Sequence, residues 1–237
     1  TVFSMDSLSG TIKNDSSINY EKKNNYNLTV EVEDDHANSL KDSAIITINI
    51  NDVNEKPSLI TKGTTISENI SNNTIIDTLQ YFDEDSSDIV TFNLKTNKSI
   101  FNLDSITGIL SVIDSNKINY ELSDNYQLNI KLADSGGLTS QSIYNLDIKN
   151  INEAPKLFPD SFVISENSVN GHFVGNIDFY DEDIGQTHTI SIKGGNKGNA
   201  FNIVNNILLV ENDSVIDYNT DSLYNLQTII EDNGSPA

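Results

Sequence analysis

The chain of 237 residues contains no cysteine and no tryptophan. Without cysteine, neither a disulfide framework nor a thiolate metal site is open to it, so core packing or bound ions must hold it together. Positive charge is scarce: 14 Lys and Arg stand against 35 Asp and Glu, a net charge of −21. That sign excludes a nucleic-acid binder working by phosphate neutralisation and disfavours attraction to anionic lipid. Cations are the natural partners. No apolar run reaches the ~18 residues of a membrane-spanning helix, and Thr1 opens no signal peptide, so any secretion or anchoring signal is expected outside this segment. Hydrophobic residues make up only 36%, a composition that raises disorder as a rival reading. The arrangement of the apolar residues argues against it.

The chain repeats itself. Ile66-Ser67-Glu68-Asn69 returns 98 residues later as Ile164-Ser165-Glu166-Asn167, and Phe82-Asp83-Glu84-Asp85 returns at the same offset as Tyr180-Asp181-Glu182-Asp183. Val53-Asn54-Glu55-Lys56-Pro57 matches Ile151-Asn152-Glu153-Ala154-Pro155, and Met5-Asp6-Ser7-Leu8-Ser9-Gly10 matches Leu103-Asp104-Ser105-Ile106-Thr107-Gly108. Ile18-Asn19-Tyr20-Glu21 returns as Ile118-Asn119-Tyr120-Glu121 and, altered, as Ile216-Asp217-Tyr218-Asn219. A register held over two periods defines tandem units. Residues 1–54 read as the second half of a unit, 55–152 as a whole one, and 153–237 as a unit lacking its last strand. The two ends are expected to be incomplete sandwiches with unpaired strand edges.

Within a unit the apolar period is two. Tyr26, Leu28, Val30 and Val32 alternate with polar residues, as do Ala44, Ile46, Ile48 and Ile50; Tyr126, Leu128, Ile130 and Leu132; and Tyr144, Leu146 and Ile148. Alternation puts one face in a core and the other in solvent. Short strands between Asn, Asp, Gly and Ser clusters, in units of about 100 residues, predict an all-β chain of tandem antiparallel β-sandwiches. Acids recur at strand ends, which a sandwich gathers at its poles. The period of two points Asp83 and Asp85 to one side. Converging carboxylates repel unless a cation neutralises them, and oxygen-only ligation is what Ca²⁺ takes, whereas Zn²⁺ favours His or Cys.

The ordered set resembles cadherin repeats over the whole chain: Ser-Glu-Asn, Asp-x-Asp, Leu-Asp-x-x-Thr-Gly, Asp-Tyr-Glu, Asp-x-Gly, then Asp-x-Asn-(Asp/Glu)-x-Pro at the linker. The resemblance implies Greek-key sandwiches of immunoglobulin-like topology, with up to three Ca²⁺ ions at each junction between consecutive units. Carried across by position, it assigns to the first junction Asn19, Glu21, Asp52, Asn54, Glu55, Asp83, Asp85 and Asp134. To the second it assigns Glu68, Asn119, Glu121, Asn150, Asn152, Glu153, Asp181, Asp183 and Asp232. Glu166 and Asp217 would serve a further junction, and Asp34 an earlier one. Six carboxylates at the second junction balance three Ca²⁺. Asn19 and Asn119 stand where the family has the Asp of Asp-Tyr-Glu, Asn150 replaces a linker Asp, and Asn219 replaces a Glu. An amide oxygen ligates without charge, so the ion nearest the preceding unit is expected to be the weakest.

The function implied is a calcium-binding, calcium-rigidified extracellular rod segment of a cell-surface adhesion protein whose membrane anchor lies elsewhere. Its partners would be calcium, the neighbouring repeats, and a cell-surface or self partner. The composition suits a microbial surface adhesin. Alternatives are a directly homophilic cadherin ectodomain, though the strand-swapping mode needs an N-terminal Trp this chain lacks, and a carbohydrate-binding module. Paired carboxylates can hydrolyse glycosides, but a catalytic site does not recur in adjacent units with its supporting acids, so no enzyme is expected. His36, His172 and His188 show no ligand spacing and read as solvated or turn residues. Gly194-Gly195-Asn196-Lys197-Gly198 reads as a flexible hairpin turn rather than a phosphate loop.

Overall fold

The computed structural model describes residues 2–235. The chain divides into two compact units. The first runs to Thr64 and takes in Asn72–Asp114 and Gln127–Leu146; the second takes Thr65–Ser71, Ser115–Tyr126 and the chain from Asp147 onward. The middle repeat contributes to both, and the pieces it gives the second unit are those that carry Glu68, Asn119 and Glu121.

In the first unit, alternating Ile, Leu and Tyr rows produce the expected strands. Asn125–Ala133 pairs antiparallel with Thr91–Leu94, Ile130 opposite Leu94 and Leu132 opposite Phe92. Phe101–Leu103, Ile109–Val112 and Ile75–Thr78 form a three-stranded sheet, and a four-stranded sheet places Thr139–Lys149 beside Asn125–Ala133. Leu110, Leu128, Ile130, Leu132, Tyr144 and Leu146 are fully buried, all on the inward positions of their strands. The Tyr144 hydroxyl donates to Asp77 Oδ2 at 2.8 Å, which satisfies the one polar atom this core residue carries. Burial, with Asp77 behind it, pushes the phenol pKa up.

The Leu-Asp-x-x-Thr-Gly motif proves to be turn chemistry. Asp104 Oδ1 accepts the N–H groups of Ile106 (3.0 Å) and Thr107 (2.7 Å) and the Thr107 hydroxyl (2.8 Å). Asp6 does the same with Leu8, Ser9 and the Ser9 hydroxyl. This side-chain turn joins Phe101–Leu103 to Ile109–Val112.

The two strands expected from alternation pair as a hairpin, Asn25–Glu33 with Lys41–Asn49, Tyr26 opposite Ile48 and Val30 opposite Ala44. It is less buried than its alternation suggests: Tyr26, Leu28 and Val30 are half-buried, whereas Val32, Ala44 and Ile46 are exposed. These two strands form a sheet by themselves among the described residues, so much of their apolar face meets no opposing layer. Phe3 covers Tyr26 edge-on at 5.0 Å.

In the second unit, His188–Gly194 pairs with Gln227–Asp232, and Phe173–Asn176, Ile207–Val210 and Phe201–Val204 form a three-stranded sheet. Ala200, Phe201, Leu208 and Val210 make its core, with Tyr224 edge-on to Phe201 at 5.1 Å. Asn205 and Asn206 both have positive φ, as a two-residue hairpin loop between Val204 and Ile207 requires. The Gly194–Gly198 segment is not a hairpin turn: the strand before it pairs with Gln227–Asp232 and the strand after it with Ile207–Val210. Lys197–Asn199 is a short 3-10 turn. A Cβ on Gly195 would lie 1.7 Å from the Asn225 carbonyl oxygen, so the glycine there serves a close backbone crossing.

Candidate metal centre

In the first unit the chain leaves Tyr81–Phe82 through a bend rather than an extended strand. Asp83 Oδ1 accepts the Asp85 N–H at 3.2 Å. The two carboxylates fall in different clusters. Asp85 joins Glu21 and Glu55; Asp83 joins Asp88 and Asp134; in each group one oxygen per residue lies within 4.8 Å of the others. Asp85 Oδ2 also accepts the Glu55 N–H at 2.7 Å, and Asn54 Nδ2 donates to Asp134 Oδ2 at 3.1 Å. Asp52 is exposed. Glu55 is pushed upward in pKa by desolvation first, then by the charges of Glu21, Asp85, Glu84 and Asp52. Desolvation also raises Asp83, with Asp85, Asp134 and Asp88 adding to it. No repeated motif contains Asp88; a further acid three residues after Asp83-Glu84-Asp85 is the available signal.

The second unit repeats the plan. Glu68 is 4% exposed and spends both oxygens on the chain that surrounds it, accepting Tyr120 N–H and Ile151 N–H at 2.7 Å each. It converges with Glu121 and Glu153. Asp183, 6% exposed, accepts the Glu153 N–H at 2.8 Å and Asn150 Nδ2 at 3.2 Å, while Asp181 accepts the Asp183 N–H. Asn152 Nδ2 reaches Asp232 at 3.4 Å. Desolvation, then Glu68 and Asp183, raises the pKa of Glu121; desolvation is also the largest cause for Glu153. Glu166 Oε2 accepts Tyr218 N–H at 3.1 Å, the same bond Glu68 makes to Tyr120 one period earlier.

The Asp-x-Gly motif has a packing reason. A Cβ on Gly136 would stand 2.2 Å from Asn54 Oδ1, and one on Gly234 would stand 1.5 Å from Asn152 Oδ1. Each glycine therefore leaves room for a linker asparagine. The replaced aspartates behave alike too. Asn19 Oδ1 accepts Lys22 N–H and Asn119 Oδ1 accepts Leu122 N–H, both at 2.8 Å. That orients the amide N–H groups toward Glu84 and Glu182, each reached at 2.5 Å.

Among the described residues the buried oxygens without a hydrogen-bond partner include Glu55 Oε2, Asp83 Oδ2, Asp88 Oδ2, Glu121 Oε2 and Glu153 Oε2. Every acidic group thus contains at least one carboxylate oxygen that is both dry and unpaired, a costly state for an anion. The donor set is oxygen throughout, which suits a hard divalent cation.

Tandem antiparallel sandwiches with clusters of converging acids define the class, an immunoglobulin-like Greek-key β-sandwich array. By sequence and by structure the chain is homologous to cadherins and protocadherins, and its repeats are cadherin repeats. It is 31% identical to human Protocadherin Fat 4 over 211 residues, 83% of this chain and 4% of that protein. It is 26% identical to human Protocadherin Fat 1 over 249 residues, 99% of this chain and 5% of that protein, and 27% identical to human Cadherin-12 over 222 residues, 86% and 28% respectively. The chain therefore spans a small part of these relatives. The crystal structure of the Protocadherin GammaB4 extracellular domain matches with a TM-score of 0.68 at 22% identity, over 98% of this chain and 39% of that one. Mouse Cadherin-23 EC22-24 matches with a TM-score of 0.65 at 21% identity, over 89% and 71%. No family model matches the chain. Among the described residues no helix is long and apolar enough to cross a membrane.

Proposed function

We propose that the chain is a calcium-binding segment of an extracellular cell-adhesion protein, built from repeats at 1–54, 55–152 and 153–237, and stiffened where consecutive repeats meet. The observation that carries the reading is the set of buried, unpaired carboxylate oxygens shared between repeats. Glu21, Glu55 and Asp85, with Asp83 and Asp134, would hold ions at the first linker, with Asp52 and Asn54 at its margin. Glu68, Glu121, Glu153 and Asp183 would hold them at the second, with Asn150, Asn152, Asp181 and Asp232 beside them. A bound cation supplies the positive charge these groups lack, and it ties the acids of one repeat to those of the next. Extracellular modules bind Ca²⁺ at roughly 10⁻⁴–10⁻³ M. At about ten times the dissociation constant each independent site adds about 1.4 kcal/mol to the folded joint. The curated relatives named above are human proteins, and the reading does not include a microbial source.

One structural neighbour is a Protocadherin gammaB7 EC3-6 cis-dimer, which favours a second reading in which such repeats also pair with a second copy. Calorimetric calcium titration of the full chain, followed by small-angle scattering, separates the two. Ion uptake with extension of a monomer supports the stiffened segment, and calcium-dependent doubling of the mass supports pairing. Asp183→Ala should lower uptake and loosen the second linker while each sandwich stays folded. Unchanged uptake and an unchanged scattering profile in that variant would count against the site.

A further inference from the structure

The two linkers carry matching motifs 98 residues apart, yet the acids on the side of the following repeat are held differently. In the middle repeat Asp83, Asp88 and Asp134 converge. Asp88 Oδ1 is anchored by the Ser135 hydroxyl at 2.7 Å, and Oδ2 of Asp88, like that of Asp83, is buried without a partner. One period on, the corresponding residues are Asp181, Gln186 and Asp232. Gln186 carries no charge, and its amide donates to Asn152 Oδ1 at 2.6 Å.

The position occupied by Val90 in the middle repeat is His188 in the third. His188 Nε2 lies 2.6 Å from Asp181 Oδ2, with side chains only 10% and 4% exposed, and its ring packs on Phe179 at 4.5 Å. The other Asp181 oxygen accepts the Asp183 N–H. Both oxygens of Asp181 are therefore engaged, and Asp181 belongs to none of the convergent acidic groups found among the described residues.

We infer, on the calcium-binding reading above, that the two linkers hold unequal numbers of cations. Asp88 completes a cation site with Asp83 and Asp134 in the first, and His188 stands beside Asp181 in place of the corresponding cation in the second. Three carboxylates face that position in the middle repeat against two in the third, and an imidazole fills the space left beside them. The least occupied position of the second linker then lies toward the third repeat, not toward the preceding one as the asparagine replacements suggest.

The test is calcium stoichiometry of the full chain by native mass spectrometry and calorimetry. Asp88→Asn should bind one ion fewer than the parent. The double substitution Gln186→Asp with His188→Val, which copies the middle repeat, should bind one more. An unchanged count in Asp88→Asn, or no gain in a folded double variant, overturns the inference. Independently of any variant, the ring ¹⁵N resonances of His188 in the parent chain should stay in place through calcium saturation; a shift to a ring freed from Asp181 overturns it too. Absence of calcium uptake by the parent chain would overturn the calcium-binding reading together with this one, whereas the variant and ring outcomes bear on this inference alone.

Discussion

An asparagine in place of an aspartate reverses what a side chain offers to a neighbouring carboxylate. The amide oxygens of Asn19 and Asn119 accept backbone N–H groups, and the amide N–H faces Glu84 or Glu182. Asn119→Asp would set a charge against Glu182. Without calcium this substitution should lower the melting temperature by a few degrees, as loss of about 1 kcal/mol does in a domain of this size. With calcium it should bind more tightly, because a carboxylate brings charge to the site; calorimetry in both states checks the two signs. Asp104 makes the opposite case of an anion already satisfied. The Thr107 N–H, followed by the Thr107 hydroxyl and the Ile106 N–H, holds its pKa below the ordinary 3.8. The stability it contributes is fully present above 3.8 and is lost as pH falls through the depressed value. Acid titration should show the parent chain losing stability relative to Asp104→Asn as pH falls from 3.8 through the depressed value, with no difference in slope near neutrality.

Strands show where alternation is enough and where it is not. Leu128, Ile130 and Leu132 on one strand and Tyr144 and Leu146 on another are fully buried, because the sheet that carries Leu110 covers them. Leu128→Ala should cost about 2–5 kcal/mol in denaturant unfolding. Ala44 and Ile46, with the same pattern, lie exposed, since burial needs a second layer and a strand's own pattern does not supply one. The repeated Leu-Asp-x-x-Thr-Gly motif was legible in the sequence, but its work as a turn, in which Asp6 and Asp104 accept the N–H groups of their own neighbours, was decided by the folded chain. The glycines after Asp134 and Asp232 follow another logic. Gly136→Ala should displace Asn54 from Asp134 and weaken calcium uptake at the first linker by several-fold, while the core signals of Leu128 and Ile130 stay unchanged in NMR spectra.

Across the whole molecule, charge dominates. A net −21 repels itself, and the buried unpaired oxygens of Glu55, Asp83, Asp88, Glu121 and Glu153 mark where that repulsion is least screened. Calcium should therefore raise the melting temperature of the full chain well beyond what matched ionic strength does. Magnesium at equal concentration should raise it much less, because its smaller ion demands octahedral geometry and gives up water reluctantly. Thermal scans in the two salts, with sodium chloride as the ionic-strength control, test this directly.

The period of 98 residues and the alternating apolar rows determined the all-β repeats and the positions of most acids, because register and side-chain direction are local properties of a pleated strand. Which acids meet was decided by the folded chain. Nothing local shows that Asp83 and Asp85 join different clusters, that Asp88 converges with Asp83, or that His188 closes on Asp181. Each of those outcomes depends on residues dozens of positions apart arriving at one place, and a carboxylate's state is set by what has arrived there.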